Sequence, residues 1–282
     1  TPGDATRSSE ATIEGQVVVS ASNVVFDGFD VSPPPATSNS EGEAVRISDG
    51  ADNADVRNNI VKDFTENFGS SVPPWSEDVG GIVAFGGSTD PVEAVTIKDN
   101  LVKNIDGRDA EGGAVGISIQ GHVEGAAVQS NVIKNVGMGT SAFALAIAIR
   151  STGNPVDEDP ESVSVKGNFV DDIFPNDSGL DGVGFEFEPE NESNVASLIV
   201  ENNTFNSTTL QVEDKTSDRG LSGLDLESVL ADNTFDRAVV IRGASGDIKA
   251  GPSNFRKVYS SLSAPVSDAS PNDIVELEEA TG

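Results

Sequence analysis

The sequence has no cysteine and very few of the other residues that build common metal centres. Its 282 residues include one His, one Met, one Trp and one Tyr. Without cysteine the chain can form neither a disulfide framework nor a thiolate metal site. With His122 as its single histidine, it cannot supply two His ligands to one zinc ion. These absences exclude the usual thiol and histidine centres.

Basic residues are also scarce: 17 Lys and Arg stand against 47 Asp and Glu, a formal net charge of −30. Phosphate binding needs a basic surface, so nucleic acid is excluded as a partner. Strong negative charge with few aromatics also suits disorder, but the apolar residues fall in recurring β-type patterns. Because molar salt shortens the Debye length to about 3 Å, it would relieve the self-repulsion. The composition resembles that of proteins from salt-loving archaea, with an ordinary acidic secreted protein as the alternative.

Long apolar runs are missing as well. No stretch is long enough to span a membrane, and no signal peptide is recognisable. Four Asn-x-Ser/Thr sequons cluster in the second half of the chain. Such a cluster favours a glycosylated protein that is extracellular or on the cell surface. The predicted glycosylation sites are Asn176, Asn191, Asn202 and Asn206.

One pattern recurs along the chain: apolar-x-apolar-x-x-Asn-x-apolar, as in Val95-Thr-Ile97-Lys-Asp-Asn100-Leu-Val102. Successive copies are 41, 31, 37, 35 and 30 residues apart. A constant kernel with variable spacing is typical of a solenoid with loops inserted at fixed corners. A shorter first copy has Gly28 at the corner, and a degenerate last copy ends at Asn254–Phe255. The six aligned asparagines are Asn59, Asn100, Asn131, Asn168, Asn203 and Asn233.

The asparagine has a physical rationale. A tight corner between two strands needs a left-handed residue, and Asn tolerates that conformation well. Coils stacked about 4.8 Å apart would align the amides in a hydrogen-bonded ladder. We therefore predict an all-β, single-domain parallel β-helix of about seven or eight coils over residues 12–259. Residues 1–11 would form an extension, and residues 260–282 a tail whose Ile274–Leu277 segment caps the helix or donates a strand.

A second family of strands lies between the kernels, and aligning it by its inward residues predicts two outward columns. In the second column Arg150 lies between Gln120 and Glu188, with Glu186 on the strand next to Arg150. The first column is predicted as Arg46, Ala84, Ser118, Ala148, Glu186, Gln211 and Val240. The second is predicted as Ser48, Gly86, Gln120, Arg150, Glu188, Glu213 and Arg242.

The repeat resembles that of right-handed parallel β-helices of the pectate-lyase-like superfamily, over about residues 12–255. That group includes polysaccharide lyases and hydrolases, viral tail spikes, adhesins and surface-layer proteins. In its enzymes an Arg or Lys acts as base and carboxylates hold Ca²⁺. The resemblance implies Arg150 as base and Glu186 and Glu188 as calcium ligands. Gln120, both glutamates and Trp75 would contact a glycan. The alternative for the charged residues is a set of cross-coil ion pairs on an exposed sheet.

Two functions follow. The first is a structural or adhesive surface module that needs no cofactor and binds copies of itself or cell-surface proteins. It is favoured because neither end carries an amphipathic capping helix, so the end coils would expose strand edges. The second is a polysaccharide lyase or hydrolase that acts on an acidic glycan and uses Ca²⁺. Repulsion between a chain of charge −30 and a polyanion disfavours it.

Overall fold

The chain follows a repeated path through three parallel sheets. A computed structural model describes residues 10–33, 42–48, 50–65, 79–87, 91–107, 113–138, 143–151, 159–174, 182–189, 197–208, 210–214, 229, 232–235, 239–242 and 255–258. The three sheets are named A, B and C, and their strands are given in the next two paragraphs. A typical coil passes through sheet C, turns a corner into sheet A, and continues into sheet B. Each strand pairs in parallel with its equivalent one coil later. The predicted parallel β-helix is confirmed, and eight successive strands form sheet A.

Sheets C and A meet at the corner that carries the asparagines. Their strands are short because each coil must turn within a few residues. Sheet C contains β3 (Val25–Asp27), β6 (Asp55–Arg57), β10 (Thr96–Lys98), β14 (Ala127–Gln129), β17 (Ser164–Lys166) and β20 (Ile199–Glu201). Sheet A contains β1 (Ala11–Glu14), β4 (Phe29–Ser32), β7 (Ile60–Lys62), β11 (Leu101–Ile105), β15 (Val132–Val136), β18 (Phe169–Ile173), β21 (Thr204–Phe205) and β23 (Thr234–Phe235).

Sheet B has the longest strands. Its parallel members are β2 (Val17–Val19), β5 (Glu43–Ile47), β8 (Val79–Gly86), β12 (Ala114–Gly121), β16 (Ala144–Arg150), β19 (Gly182–Glu188), β22 (Leu210–Asp214) and β24 (Val239–Arg242). The last strand, β25 (Phe255–Val258), runs antiparallel to β24. A short pair, β9 (Val92–Glu93) and β13 (Val123–Glu124), lies between sheets B and C along the chain. No helix in the described part is long and apolar enough to cross a membrane.

The six predicted asparagines form a buried ladder, each at most 8% exposed. Asn131 shows the pattern: its Oδ1 accepts from the backbone N–H and from Nδ2 of Asn100, both at 3.0 Å. Its Nδ2 donates to Ile97 O at 2.9 Å and to Asn168 Oδ1 at 3.0 Å. The amide thus has two donated and two accepted hydrogen bonds. Because neighbouring coils provide these hydrogen-bond partners, each coil can bury an asparagine amide at this corner without leaving it unsatisfied.

The reason given above for asparagine was wrong in one respect. The left-handed residue at this corner is the one before the ladder position in five of the six coils: Asn58, Asp99, Ser130 and Asn202, with φ between 52° and 59°, and Gly167, with φ 65°. The ladder asparagines are therefore selected for their hydrogen bonds, and not for their backbone conformation. Gly28 (φ 82°) is equivalent to Asn58. In the first coil the ladder position is Phe29, whose N–H donates to Asn59 Oδ1 at 3.0 Å.

A column of small residues in sheet B was not predicted. In five strands two consecutive residues face the core, which bends the strand, and the first of the two is always Ala or Gly. A Cβ on Gly116 would lie 2.5 Å from Ile133 Cγ2 and 2.6 Å from Ala146 O. Sheet A therefore approaches sheet B too closely for a larger side chain. The column consists of Ala44, Gly81, Gly116, Ala146 and Gly184.

The last predicted copy of the repeat, at Asn254–Phe255, was also wrong. Phe255 starts β25, which reverses the chain and pairs antiparallel with β24. A reversed strand cannot begin another parallel coil. The parallel part of sheet B therefore ends at β24. The tail of residues 260–282, with its Ile274–Leu277 segment, lies outside the described residues.

Candidate functional site

The candidate site is the outer face of sheet B, where the predicted Arg150 column lies. Gln120 pairs in register with Arg150, and Arg150 with Glu188, as expected. Ala148 lies between Ser118 and Glu186, also as expected. The central strands therefore bring together the four predicted residues Gln120, Arg150, Glu186 and Glu188.

Two flanking strands differ from the predicted columns. In β8 the inward residues are Ile82 and Ala84, so Val83 and Phe85 take the outward positions. In β22 the register places Glu213 beside Glu186, two positions from the expected alignment. The sequence prediction assigned the wrong residues of β8 to the core, because both faces of this strand carry apolar residues and hydrophobicity does not distinguish them. The corrected column is Arg46, Val83, Ser118, Ala148, Glu186, Glu213 and Arg242.

An apolar cluster covers the middle of this outer face. Its buried members Val115, Leu145, Ala148 and Val183 are all at most 3% exposed, and Phe143 packs against them. The cluster is separate from the main core inside the coils. The middle of sheet B is therefore buried on both sides, while the outward residues Arg46, Phe85, Gln120, Arg150 and Glu188 are only partly buried. The predicted glycan and calcium contacts at these positions stay predictions.

Arg150 forms an ion pair with Glu186 on the neighbouring strand β19. Its Nη2 lies 3.2 Å from Glu186 Oε1, and the side chains are 15% and 2% exposed. The guanidinium carbon also lies 6.0 Å from the centre of the Phe143 ring. The guanidinium and the carboxylate thus form an ion pair of opposite charges, and an Arg side chain offers only hydrogen-bond donors. The arrangement suits a structural ion pair better than a base that must accept a proton.

The predicted calcium site rests on Glu186 and Glu188. Glu186 is buried and already engaged by Arg150, while Glu188 is partly buried on the same strand. Within the described residues, no group of three or more His, Asp or Glu side chains is placed to hold a metal ion. Gln120 is partly buried at the end of β12. Trp75, the predicted sugar-stacking residue, lies outside the described residues.

The four predicted glycosylation sites divide into two groups. Asn176 and Asn191 lie outside the described residues. Asn202 is exposed at a left-handed corner position. Asn206 is partly buried, and Thr208, which completes its sequon, is fully buried. Asn202 is therefore the better placed of the two described sequons, and its modification stays a prediction.

Two polar features were missed from the sequence. His122 is buried, and its Nε2 lies 3.0 Å from Glu124 Oε1. A second, outer ladder follows sheet A: Asn135 Nδ2 donates to Asn104 Oδ1 at 3.0 Å, and Asn104 Nδ2 donates to Asp63 Oδ1 at 2.6 Å. The pairs Lys62-Asp63, Lys103-Asn104 and Lys134-Asn135, which follow three successive kernels, are the signal that could have predicted this ladder.

No protein-family model, no curated protein and no solved structure matches this chain. The parallel β-helix is therefore established by the strand pairing within the chain itself. A place in the pectate-lyase-like superfamily and an origin in salt-loving archaea stay predictions from the sequence pattern and the charge.

Proposed function

We propose that this chain is a structural and adhesive module of the cell surface or extracellular space, and not an enzyme. The observation that carries the proposal is the burial of the middle of the outer face of sheet B, together with the ion pair of Arg150. The single Arg that the enzyme hypothesis needs as a base is paired with a carboxylate that is 2% exposed. Apolar side chains bury the sheet beside it. A glycan lying across this face would first have to displace that packing.

The regular stacking of the coils supports a mechanical role. The ladder runs without interruption from Asn59 to Asn233, and every link is a hydrogen bond between neighbouring coils. Such a structure resists separation of its coils because each junction combines ladder bonds with paired strands. A rod of this kind suits a surface structure or a filament, with other copies of itself or cell-surface proteins as partners.

The charge and the sequons support the location. We assign the chain to the right-handed β-helices of the pectate-lyase-like superfamily, and to an organism that lives in concentrated salt. The melting temperature should then rise steeply between about 0.1 M and molar salt, as the Debye length falls from about 10 Å to about 3 Å. A melting temperature that is flat across this range would contradict the salt-adapted origin and leave an ordinary acidic secreted protein.

The catalytic alternative is tested by assaying cleavage. We expect no ultraviolet absorbance from unsaturated products when the protein is incubated with a panel of uronate polymers and Ca²⁺. We expect no new reducing ends either, which covers a hydrolase. Cleavage that disappears in Arg150→Ala and in Arg150→Lys, while both variants keep their circular dichroism spectrum, would establish the enzyme and overturn the proposal.

A further inference from the structure

The two ends of the β-helix differ, beginning with the covering of the core. Five apolar residues at the edge of the main core are only partly buried, and all but Leu198 belong to the first coil: Ile13, Val17, Val24 and Phe29. Two further valines of the first coil, Val18 and Val25, are 53% and 56% exposed. The first coil therefore leaves four of its core side chains partly uncovered, and it adds apolar Val18 and Val25 at outward positions where the next coil has Arg46 and Asp55.

The same end presents strand edges. Strands β1, β2 and β3 are the outermost members of their sheets among the described residues. In β2, Val19 O accepts from Ser48 N–H on the neighbouring strand at 2.9 Å. Because backbone groups alternate in direction along a strand, the N–H and C=O of Val18 point to the outer edge. A row of such groups is a template for another strand.

The ends also differ in charge. Residues 10–33 contain four acidic residues and no basic one, although Asp27 and Asp30 pair with Arg57 and Lys62 of the next coil. The described residues 234–235, 239–242 and 255–258 contain three basic residues and no acidic one. Two of the basic residues, Arg256 and Lys257, lie on β25. That strand is the edge of sheet B at the opposite end of the molecule.

We propose that copies of this chain associate head to tail, with β25 of one copy pairing antiparallel with β2 of the next, so that sheet B continues across the junction. This inference rests on the proposed structural role and names its partner, a second copy of the chain. Complementary charge between the described residues of the two ends selects the partner end, and the outer edge of β2, the outermost described strand of its sheet, provides the contact. Because the two surfaces differ, the contact does not close on itself and generates an open filament.

The test uses the full chain in sedimentation velocity, at the lowest salt concentration at which it is folded. The wild type should form concentration-dependent oligomers. We expect Arg256→Glu/Lys257→Glu to weaken association at least tenfold, and Glu10→Lys/Glu14→Lys to do the same. A 1:1 mixture of the two variants should restore association, because each reversed end then meets its complement. The matched control Lys103→Glu/Lys134→Glu makes the same change in net charge on the outer face of sheet A and should leave association unchanged.

A second variant tests the strand edge without relying on charge. Val18→Pro removes the N–H that faces outward and spares the bonds from β2 to β5, so a folded monomer is expected. Circular dichroism checks the fold. The inference is overturned by a monomeric wild type, by an equal effect of the control, or by a mixture that does not associate. It is also overturned if Val275→Pro abolishes association, because the tail would then be the donor strand. If the wild type is monomeric and cleaves no glycan, the proposed junction is wrong, but the proposed structural role is not contradicted.

Discussion

The ladder corner and the outer face of sheet B bury polar groups in two different ways. At the corner an uncharged amide is buried in six coils, and its partners come from the coils before and after it. On sheet B a charged pair, Arg150–Glu186, is buried among apolar side chains. A neutral amide with four satisfied bonds can be repeated at little cost, whereas a buried charge carries a large desolvation penalty. The comparison explains why the corner recurs along the chain and the ion pair does not.

The ladder corner should tolerate an inserted residue less well than the segment that follows strand β16 of sheet B. All described strands of sheet C have three residues, while the spacing of the ladder asparagines varies from 30 to 41. A glycine inserted between Asp99 and Asn100 would displace Asn100 and break its bonds to Asn59 and to Asn131. We expect a loss of more than about 5 kcal/mol in the free energy of unfolding.

The same glycine inserted between Gly153 and Asn154, where the coils differ in length, should cost less than about 1 kcal/mol. Denaturant unfolding followed by circular dichroism measures both. If the two insertions cost the same, the corner does not define the coil.

A single substitution sharpens the comparison within the corner. Asn131→Ala leaves the backbone N–H and Nδ2 of Asn100 and the carbonyl of Ile97 without their buried partner. We expect a cost of about 3–5 kcal/mol, because unsatisfied buried groups lose their full desolvation energy.

The matched control lies on the outer ladder. Asn135→Gly removes one side-chain bond at a residue with φ 56° and keeps a residue type that accepts this conformation. It should cost less than about 1 kcal/mol. Equal effects at the two positions would show that burial of the inner ladder does not set its contribution.

Removal of one partner of the Arg150–Glu186 ion pair should lower the free energy of unfolding strongly, whereas replacement of both partners by apolar residues should change it little. Arg150→Ala leaves Glu186 buried without its guanidinium partner, and we expect a loss of about 3 kcal/mol. Arg150→Met combined with Glu186→Leu should come within about 1 kcal/mol of the wild type. Thermal or urea unfolding distinguishes the two. A negligible cost for Arg150→Ala would show that the pair behaves like an exposed one.

The smallest effect is expected at the left-handed corner residues. Ser130 has φ 54°, a conformation that costs a residue with a Cβ about 1 kcal/mol. Ser130→Gly should therefore raise the free energy of unfolding by a few tenths to about 1 kcal/mol, and Ser130→Val should lower it. Both changes are read as shifts of the denaturant midpoint. A destabilising Ser130→Gly would show that the Ser side chain, and not the backbone, holds this corner.

The fold could be predicted from the sequence because one buried polar residue type recurs in a fixed frame. The kernel places Asn100 and Asn131 in equivalent apolar settings, and only stacked coils can satisfy such a column of amides. The outer face of sheet B could not be predicted as reliably. Val83 and Phe85 are apolar but face outward, so the hydrophobic alternation of β8 carries no information about its phase. The burial of Glu186 depends on packing above the sheet, which no local pattern in the sequence reports.

Amide hydrogen exchange of the native protein, resolved by residue, tests the central claim most directly. Backbone N–H groups of Asn59, Asn100, Asn131, Asn168 and Asn203 each donate to the Oδ1 of the following ladder asparagine, at 2.9–3.0 Å. The ladder should protect them close to the limit set by global unfolding. In the monomeric Arg256→Glu/Lys257→Glu variant, where β2 pairs with no other copy, the N–H of Val18 should exchange faster than these by several orders of magnitude. Ladder amides that exchange as fast as Val18 would contradict the account.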